Sequence, residues 1–413
     1  MSPSSAKELL IMNSPKLRFK NFNDEWKTFK IQDTFVFLST NSLSRDSLNY
    51  NNGTIQNIHY GDIHTILPTI CNVNKEKLPY INYNAIYKNT NFVQENDLLI
   101  ADASENYDDI GKSIEVIELD NKKIVGGLHT LLLRCELNLF APKFKGYLFN
   151  TNNIRTQIKI LSVGAKVLGI SKDNLKKITF SLPSLEEQTK IANFLSLIDR
   201  KIELQEKLVE NLKLYKKGLL QKVFSNNHGW KSAKLGDFLI EYNKKTTINN
   251  QYDIISSTSN GLYLQKDYFD KQVASKNNIG YKILKLNQIV FSPQNLWLGN
   301  INYNNKFKIG IVSPSYKIYS INQYYNSTFI SYLMTTPNAM YQYKLSSEQG
   351  ASIVRRNLDL EKFLNITFKI PNIEEQNRIA NLFSNLDKKI DFETNRLTKL
   401  KEYKKGLLQQ MFI

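Results

Sequence analysis

The chain has 413 residues, 41% of them hydrophobic, and 55 Lys and Arg against 38 Asp and Glu give a net charge of +17. That apolar fraction is enough for sizeable cores and excludes a disordered chain. No apolar run is long enough to span a bilayer, and the polar start MSPSSAKELLIMNSPK lacks a secretory apolar segment, so a cytoplasmic location is expected. The positive charge points to a polyanionic partner, nucleic acid first. Abundant Asn, Lys, Ile and Tyr also give the bias of an AT-rich genome, so charge alone does not name what is bound. The two cysteines, Cys71 and Cys135, are too far apart in sequence to suggest a disulfide framework or a zinc cluster and are expected to be ordinary reduced residues.

From residue 25 to about 180, short alternating apolar runs (NDLLIAD, SIEVIEL, HTLLLRC) between Gly/Asn/Ser turns read as strands, with FKGYLFNTN as a helix. A helix start follows. Pro183-Ser184-x-x-Glu187 supplies an N-cap serine and a capping-box glutamate, and the proline marks the boundary with the strand-like ITF. Beyond it Ile191, Leu195, Ile198, Ile202, Val209, Leu212 and Leu219 recur at three- and four-residue steps, with Gln205 and Lys216 as polar interruptions. A 3.5-residue period sustained this long favours a coiled-coil seam over a globular helix face. From 230 to 368 the pattern returns to strands, NQIVFSP and GIVSPSYKIYS, with FISYLMTTPNAMYQY as a helical stretch. Pro371-Asn372-x-x-Glu375 then starts a second long helix. Its stripe is Ile379, Phe383, Leu386, Ile390, Leu397, Leu400 and Leu407, interrupted by Glu393 and Lys404.

The two helical blocks are one sequence written twice. The segments opening at Ile178 and Ile366 align at an offset of 188 without a gap to Phe224 and Phe412, with about half of the positions identical. Shorter matches lie outside the block. Trp26-Lys27-x-x-Lys30 reappears as Trp230-Lys231-x-x-Lys234, Phe144-x-x-Tyr147-Leu148 as Phe329-x-x-Tyr332-Leu333, and Gly164-Ala165 as Gly350-Ala351. Ile110-Gly111-Lys112 pairs with Leu298-Gly299-Asn300. A period this long implies a duplicated domain rather than a solenoid. The expected class is α+β, with two tandem similar modules and two long helices packed on each other as an antiparallel coiled coil. Each helix of about 40 residues would be roughly 60 Å long. The expected boundaries are 1–182 for the first module with its N-terminal extension, 183–225 for the central helix, 226–370 for the second module and 371–413 for the C-terminal helix.

Catalytic chemistry is hard to find in the residues. NYDDIGKS, from Asn106 to Ser113, resembles the end of a phosphate-binding loop but has Asn where that motif needs Gly. There is no G-x-G-x-x-G, no H-E-x-x-H and no Asn/Asp-Pro-Pro-Tyr segment of the adenine-methyltransferase kind. His59, His64, His129 and His228 form no convincing ligand set. Glu402-Tyr403-Lys404 has the E-x-K form seen in nucleases but lies on the long helix without a placed acidic partner. The pattern reads as a protein that binds and does not react.

Pro-x-x-x-Glu-Gln-x-x-Ile-Ala, at Pro183, Glu187, Gln188, Ile191 and Ala192 and again at Pro371, Glu375, Gln376, Ile379 and Ala380, strongly resembles the specificity subunit of type I restriction-modification systems. LSLIDRKI and FSNLDKKI, the paired YKKGLLQ segments and the Trp-Lys-x-x-Lys module starts resemble that family too. The resemblance implies two target-recognition domains, each reading half of a split, asymmetric DNA sequence, spaced by the antiparallel coiled coil. It also implies a subunit without catalysis or cofactor of its own. Two modification subunits would bind S-adenosylmethionine and methylate adenine, and optional restriction subunits would use ATP and Mg. Candidate DNA-reading loops are Ser104–Ser113, Gly164–Lys166, Gln294–Asn300 and Gly350–Arg356. Their candidate contacts are Lys112, Ser113, Lys166, Gln294, Asn295, Asn300, Arg355 and Arg356, with Lys and Arg suited to phosphates and Asn, Gln, Arg and Ser to base edges. Turn residues with solvated charges are the plainer alternative for each. A coiled-coil adaptor would not need two divergent basic modules, and a stand-alone restriction-methylation enzyme would need the missing motifs.

Overall fold

The computed structural model describes residues 14–87, 91–268, 277–350 and 355–413. The chain divides into two compact units, Met1–Gln205 with Arg396–Ile413, and Glu206–Asn395. Each unit therefore holds one module, the first half of the long helix that follows it and the last half of the other long helix.

Each module is closed by pairing its first strand with its last. Lys27–Lys30 runs antiparallel to Thr179–Leu182, with Lys27 opposite Leu182. In the second unit Lys231–Lys234 pairs with Thr367–Ile370, with Lys231 opposite Ile370. The closing strand ends one residue before Pro183 or Pro371, so the ribbon delivers the chain directly to the start of a long helix.

Between those strands the modules differ. The first carries a five-stranded sheet in the order Val36–Leu38, Thr130–Arg134, Leu98–Ala101, Ser113–Ile117, Ile70–Asn72, and a smaller four-stranded one. The second carries a four-stranded antiparallel sheet, Leu239–Glu241, Lys317–Ile321, Gln288–Phe291, Ile301–Tyr303, with three two-stranded hairpins or ribbons besides its closing pair. The helical stretch expected at FKGYLFNTN is two helices, Phe144–Phe149 and Asn152–Leu161. The second of these was missed because its Asn, Thr, Arg and Gln residues dilute the apolar period. FISYLMTTPNAMYQY likewise splits into Ser327–Leu333 and Pro337–Leu345, because Pro337 starts a new helix under a Thr336 cap.

The long helices run unbroken over Leu185–Ser225 and Ile373–Gln410, through Gly218 and Gly406. Ser184 Oγ accepts from the Glu187 amide at 3.3 Å, and Asn372 Oδ1 from the Glu375 amide at 2.9 Å. The reciprocal arm expected of Glu187 is replaced by an ion pair. Its carboxylate takes two hydrogen bonds of 2.8 Å from Arg18. The glutamine beside it docks the module. Gln188 accepts from the Ala141 amide at 3.0 Å and donates to the Leu139 and Pro183 carbonyls; Gln376 accepts from the Asn326 amide at 2.9 Å and donates to the Pro371 carbonyl.

Within each unit the two helix halves are antiparallel. In the first, Ile191, Ala192 and Leu195 share a core with Trp26 and Phe144 and with Leu407, Met411 and Phe412 from the end of the other helix. In the second, Ile379, Ala380 and Phe383 meet Leu219, Leu220 and Phe224. All the stripe residues are buried or half-buried. The polar interruptions Lys404 and Lys216 each reach an aspartate on the facing helix. Lys404 lies 2.5 Å from Asp199, and Lys216 pairs with Asp387. Each aspartate also accepts a tyrosine hydroxyl from its own module, Tyr147 at 2.8 Å and Tyr332 at 2.6 Å. The lysines sit 5.6 and 5.1 Å from those tyrosine ring centres. Burial and the carboxylate together hold both phenols protonated, above the usual tyrosine range.

Among the described residues no helix is long and apolar enough to cross a membrane. Replacing Asp387 with Ala removes the acceptor for Tyr332 and the counter-charge for Lys216 together. Urea denaturation should show about 1–3 kcal/mol of lost stability, the range for charged hydrogen bonds and stranded partners. Asp199→Ala should cost a similar amount through Tyr147 and Lys404. An unchanged midpoint in both variants would mean these groups are merely adjacent.

Candidate nucleic-acid interface

In the first module the candidate loop Ser104–Ser113 lies on the helix Asn152–Leu161. Gly111 has φ +69°, and a Cβ there would meet Ile158 at 2.5 Å, so only glycine lets the loop approach this closely. Asn106 Oδ1 accepts from the Asp108 amide at 2.9 Å, which shapes the turn as a strand connection rather than a phosphate loop. Arg155 donates to the Asp108 carbonyl at 2.6 Å, and Lys159 Nζ to its carboxylate at 2.6 Å. The lysine hydrogen bond holds the Asp108 carboxyl below its usual range, whereas burial pushes the Arg155 guanidinium down. The Tyr107 hydroxyl donates to the Lys159 carbonyl, and the lysine ammonium stands 5.6 Å from the Tyr107 ring centre.

The sequence candidates of this module fall in three different places. Lys112 is half-buried, 2.6 Å from Asp109 and bonded to the His64 carbonyl. Lys166 is exposed in the turn between Val163 and Gly169. Ser113 has to be corrected as a contact. It is 3% exposed inside the sheet, and its hydroxyl and carbonyl accept from Asn150, so the side chain cannot reach a duplex. Three histidines that looked unrelated in sequence come together: the Tyr60 ring lies 4.6 Å from His59, 5.5 Å from His64 and 5.3 Å from His129. Burial, with Arg45 nearby, pushes His59 down to about 4, so it is neutral at physiological pH. His129, at φ +52°, pairs with Asp102 at 3.1 Å.

The second module brings two candidate loops together. In Gln294–Asn300 a single turn over Leu296–Leu298 ends at Gly299 with φ +88°. The Arg356 amide donates to the Gln294 carbonyl at 3.1 Å. The Arg356 guanidinium donates to the Ser347 hydroxyl at 2.8 Å and carbonyl at 2.5 Å and lies 5.8 Å from the Trp297 ring centre. Lys344 approaches the same ring at 5.9 Å. Arg356 is therefore committed to the fold, whereas Arg355 and Gln294 are exposed. Asn300 accepts from Ser257 at 2.9 Å and so ties down the hairpin that begins at Ile255. Asn295 is half-buried, its Oδ1 without a hydrogen-bond partner among the described residues. Residues 351–354 of the candidate loop Gly350–Arg356 lie outside the described residues.

Sequence reasoning missed Tyr107, Lys159, Trp297 and Lys344. A signal existed, since Lys159 and Lys344 are 185 residues apart, the separation of Phe144 and Phe329.

Two dissimilar loop sets are thus mounted on one repeated framework. A sequence model of the type I restriction modification DNA specificity domain matches that framework twice, over residues 23–214 and 227–402. The chain belongs to this specificity family. Its first match takes in the first module and most of the helix that follows it, and its second repeats this. The chain is 24% identical over 322 residues to the putative type I restriction enzyme MjaX specificity subunit of Methanocaldococcus jannaschii, covering 72% of this chain and 73% of that one. It is 21% identical to the MjaVIII specificity subunit of the same organism, over 63% and 68% of the two chains. The fold is similar to the crystal structure of a type I S subunit from M. genitalium, with a TM-score of 0.52, 16% identity and coverage of 97% and 99%. It is also similar to a chain from a structural study of type I R-M complex assembly, with a TM-score of 0.57, 13% identity and coverage of 93% and 96%. Specificity subunits are the DNA-recognition components of these systems and are not themselves enzymes.

The two adjacent arginines of this family member should separate by experiment. Arg356→Ala strands the Ser347 carbonyl and uncovers Trp297, and should lower stability by about 1–2 kcal/mol in urea unfolding. Arg355→Ala, at an exposed side chain, should cost less stability than Arg356→Ala and flatten the salt dependence of DNA binding by about one unit if it meets a phosphate. The reverse pattern would exchange their roles.

Proposed function

We propose that each module reads one half of a bipartite, asymmetric DNA sequence, while the paired long helices set the spacing between the halves and dock two modification subunits. The observation that carries this reading is the contrast between mount and loops. The Gln188 and Gln376 clamps and the two Tyr–Asp–Lys contacts repeat nearly atom for atom, while the loops they present differ in length, charge and aromatic content. Two unlike readers on one common mount suit a site whose halves are unlike.

In this reading Lys166, Gln294 and Arg355 are the exposed contacts, with Lys112 and Asn295 behind them, and Asn300 and Arg356 hold the loops in shape. S-adenosylmethionine belongs to the modification subunit, and ATP and Mg to a restriction subunit where one joins. The purified chain incubated with S-adenosylmethionine and target DNA should transfer no methyl label until a modification subunit is added. Transfer by the pure chain would overturn the division of labour.

The spacing role has its own test. One heptad inserted after Gln205 and one after Glu393 keeps the seam in phase. The insertion lengthens the paired helices by about 10 Å at ~1.5 Å per residue. With DNA rising ~3.4 Å per base pair, the spacer between methylated half-sites should grow by about three base pairs and the half-site sequences should stay the same. An active, folded variant with the old spacer would mean that something other than the helices sets the distance.

A further inference from the structure

In each module the helix after Phe144–Phe149 or Ser327–Leu333 carries, in its last turn, a lysine followed by an aliphatic side chain that projects into water. These are Lys159-Ile160 in the first module and Lys344-Leu345 in the second, 185 residues apart. Ile160 is 73% exposed and Leu345 59%. Each lysine reaches over an aromatic ring of the neighbouring loop, Tyr107 or Trp297. The loops otherwise share little. The first is acidic, with Glu105, Asp108 and Asp109, while residues 292–300 contain no acidic residue. A feature kept at one place on two surfaces that differ elsewhere is not part of what makes them differ. In the second module its surroundings are basic, with Lys344 and Arg356 at 5.9 and 5.8 Å from the Trp297 ring centre, which complements a polyanion.

We infer that this lysine–aliphatic pair, braced by the loop aromatic, is each module's sequence-independent foothold on DNA. The lysine meets a phosphate and Ile160 or Leu345 packs on the sugar edge of the groove, leaving base reading to the loops that differ. Phosphate contacts position a reader and base contacts specify its target, and a foothold shared by both modules belongs to the first kind. The inference rests on the reading that the modules bind DNA. The first foothold is partly masked, because Asp108 holds the Lys159 ammonium at 2.6 Å. Lys344 has Trp297 beneath it at the corresponding place.

The test uses the full chain assembled with its modification subunits and titrated with duplexes that contain or lack the methylated target, between about 50 and 200 mM salt. Lys159→Met with Lys344→Met keeps the packing of the stems. Affinity for both duplexes should fall by the same factor, about tenfold, and the slope of log K against log salt should flatten by about two units, one per phosphate. The methylated sequence should not change. Asp108→Asn should tighten binding to both duplexes several-fold by unmasking Lys159. Ile160→Ser with Leu345→Ser should weaken both several-fold without changing the salt slope. An unchanged slope and affinity in the double lysine variant would overturn the inference. A changed methylation sequence would make these residues base readers instead, and loss of the modification subunit from the complex would make the surface a protein contact; either overturns it. If the unaltered complex fails to bind the target duplex, the DNA-reading role itself falls, a result separate from unaltered and variant complexes that bind equally well.

Discussion

The structure depends on how a long helix is fastened to the module that precedes it, and a carboxylate shared between a tyrosine and a lysine does much of that fastening. Asp199 faces Tyr147 from its own module and Lys404 from the opposite helix; Asp387 faces Tyr332 and Lys216. One side chain thus ties module to helix and helix to helix. Because the lysine is one of two polar interruptions in each apolar stripe, beside Gln205 or Glu393, its pairing also selects a register. A slipped pair of helices would bury an ammonium against aliphatic side chains, which is strongly unfavourable. The glutamine clamps at Gln188 and Gln376 act one turn from the helix starts and satisfy backbone groups of the module, so the orientation of each module on its helix is held at two levels.

The aromatic contacts at the junctions show the same duplication in a different covalent setting. Phe224 and Trp230 pack edge to face at 6.2 Å, six residues apart in one continuous stretch. Phe412 and Trp26 pack edge to face at 6.3 Å from near the opposite ends of the chain. The geometry is therefore set by packing and not by the peptide link. The segment before Trp26 adds to it, as Arg18 grips Glu187, Phe19 packs on Phe194 at 5.9 Å and the Leu17 amide donates to the Gln410 carbonyl. Inside the modules the repeat relaxes. Buried Glu115 accepts the Lys143 and Gly146 amides and lies 3.5 Å from buried Lys145. The corresponding places, at the offsets of the neighbouring motifs, hold Tyr303 and Ile330, and the Tyr303 hydroxyl bonds to Ser327 instead. A buried ion pair and a neutral hydrogen bond serve the same junction, as expected where a desolvated pair adds little net stability over a neutral replacement.

The loops illustrate why a recognition surface is harder to read from residues than its mount. Arg355 and Arg356 are adjacent and chemically identical, yet the first is exposed just before the strand and the second turns onto Ser347 and Trp297. Ser113 looked like the end of a polar loop and is the first residue of a buried strand. Tyr60 gathers histidines from two segments of the chain, a grouping that no spacing rule could report. In each case the deciding contact comes from a residue 9 to 69 positions away.

What the sequence determined by itself is everything that repeats at short range: both helix starts, the unbroken helices, the apolar stripes with their lysine interruptions, and the duplication that makes two modules of one design. These are local periodicities and caps, and their physics is complete within a few turns of chain. The tertiary structure alone decided which polar residues of the loops hold the fold and which face outward. It also decided where the helix Asn152–Leu161 begins and that Lys159 and Lys344 cross the rings of Tyr107 and Trp297. A polar side chain in a loop has many partners within reach, and which one it takes depends on strands and helices whose packing is set by the whole unit.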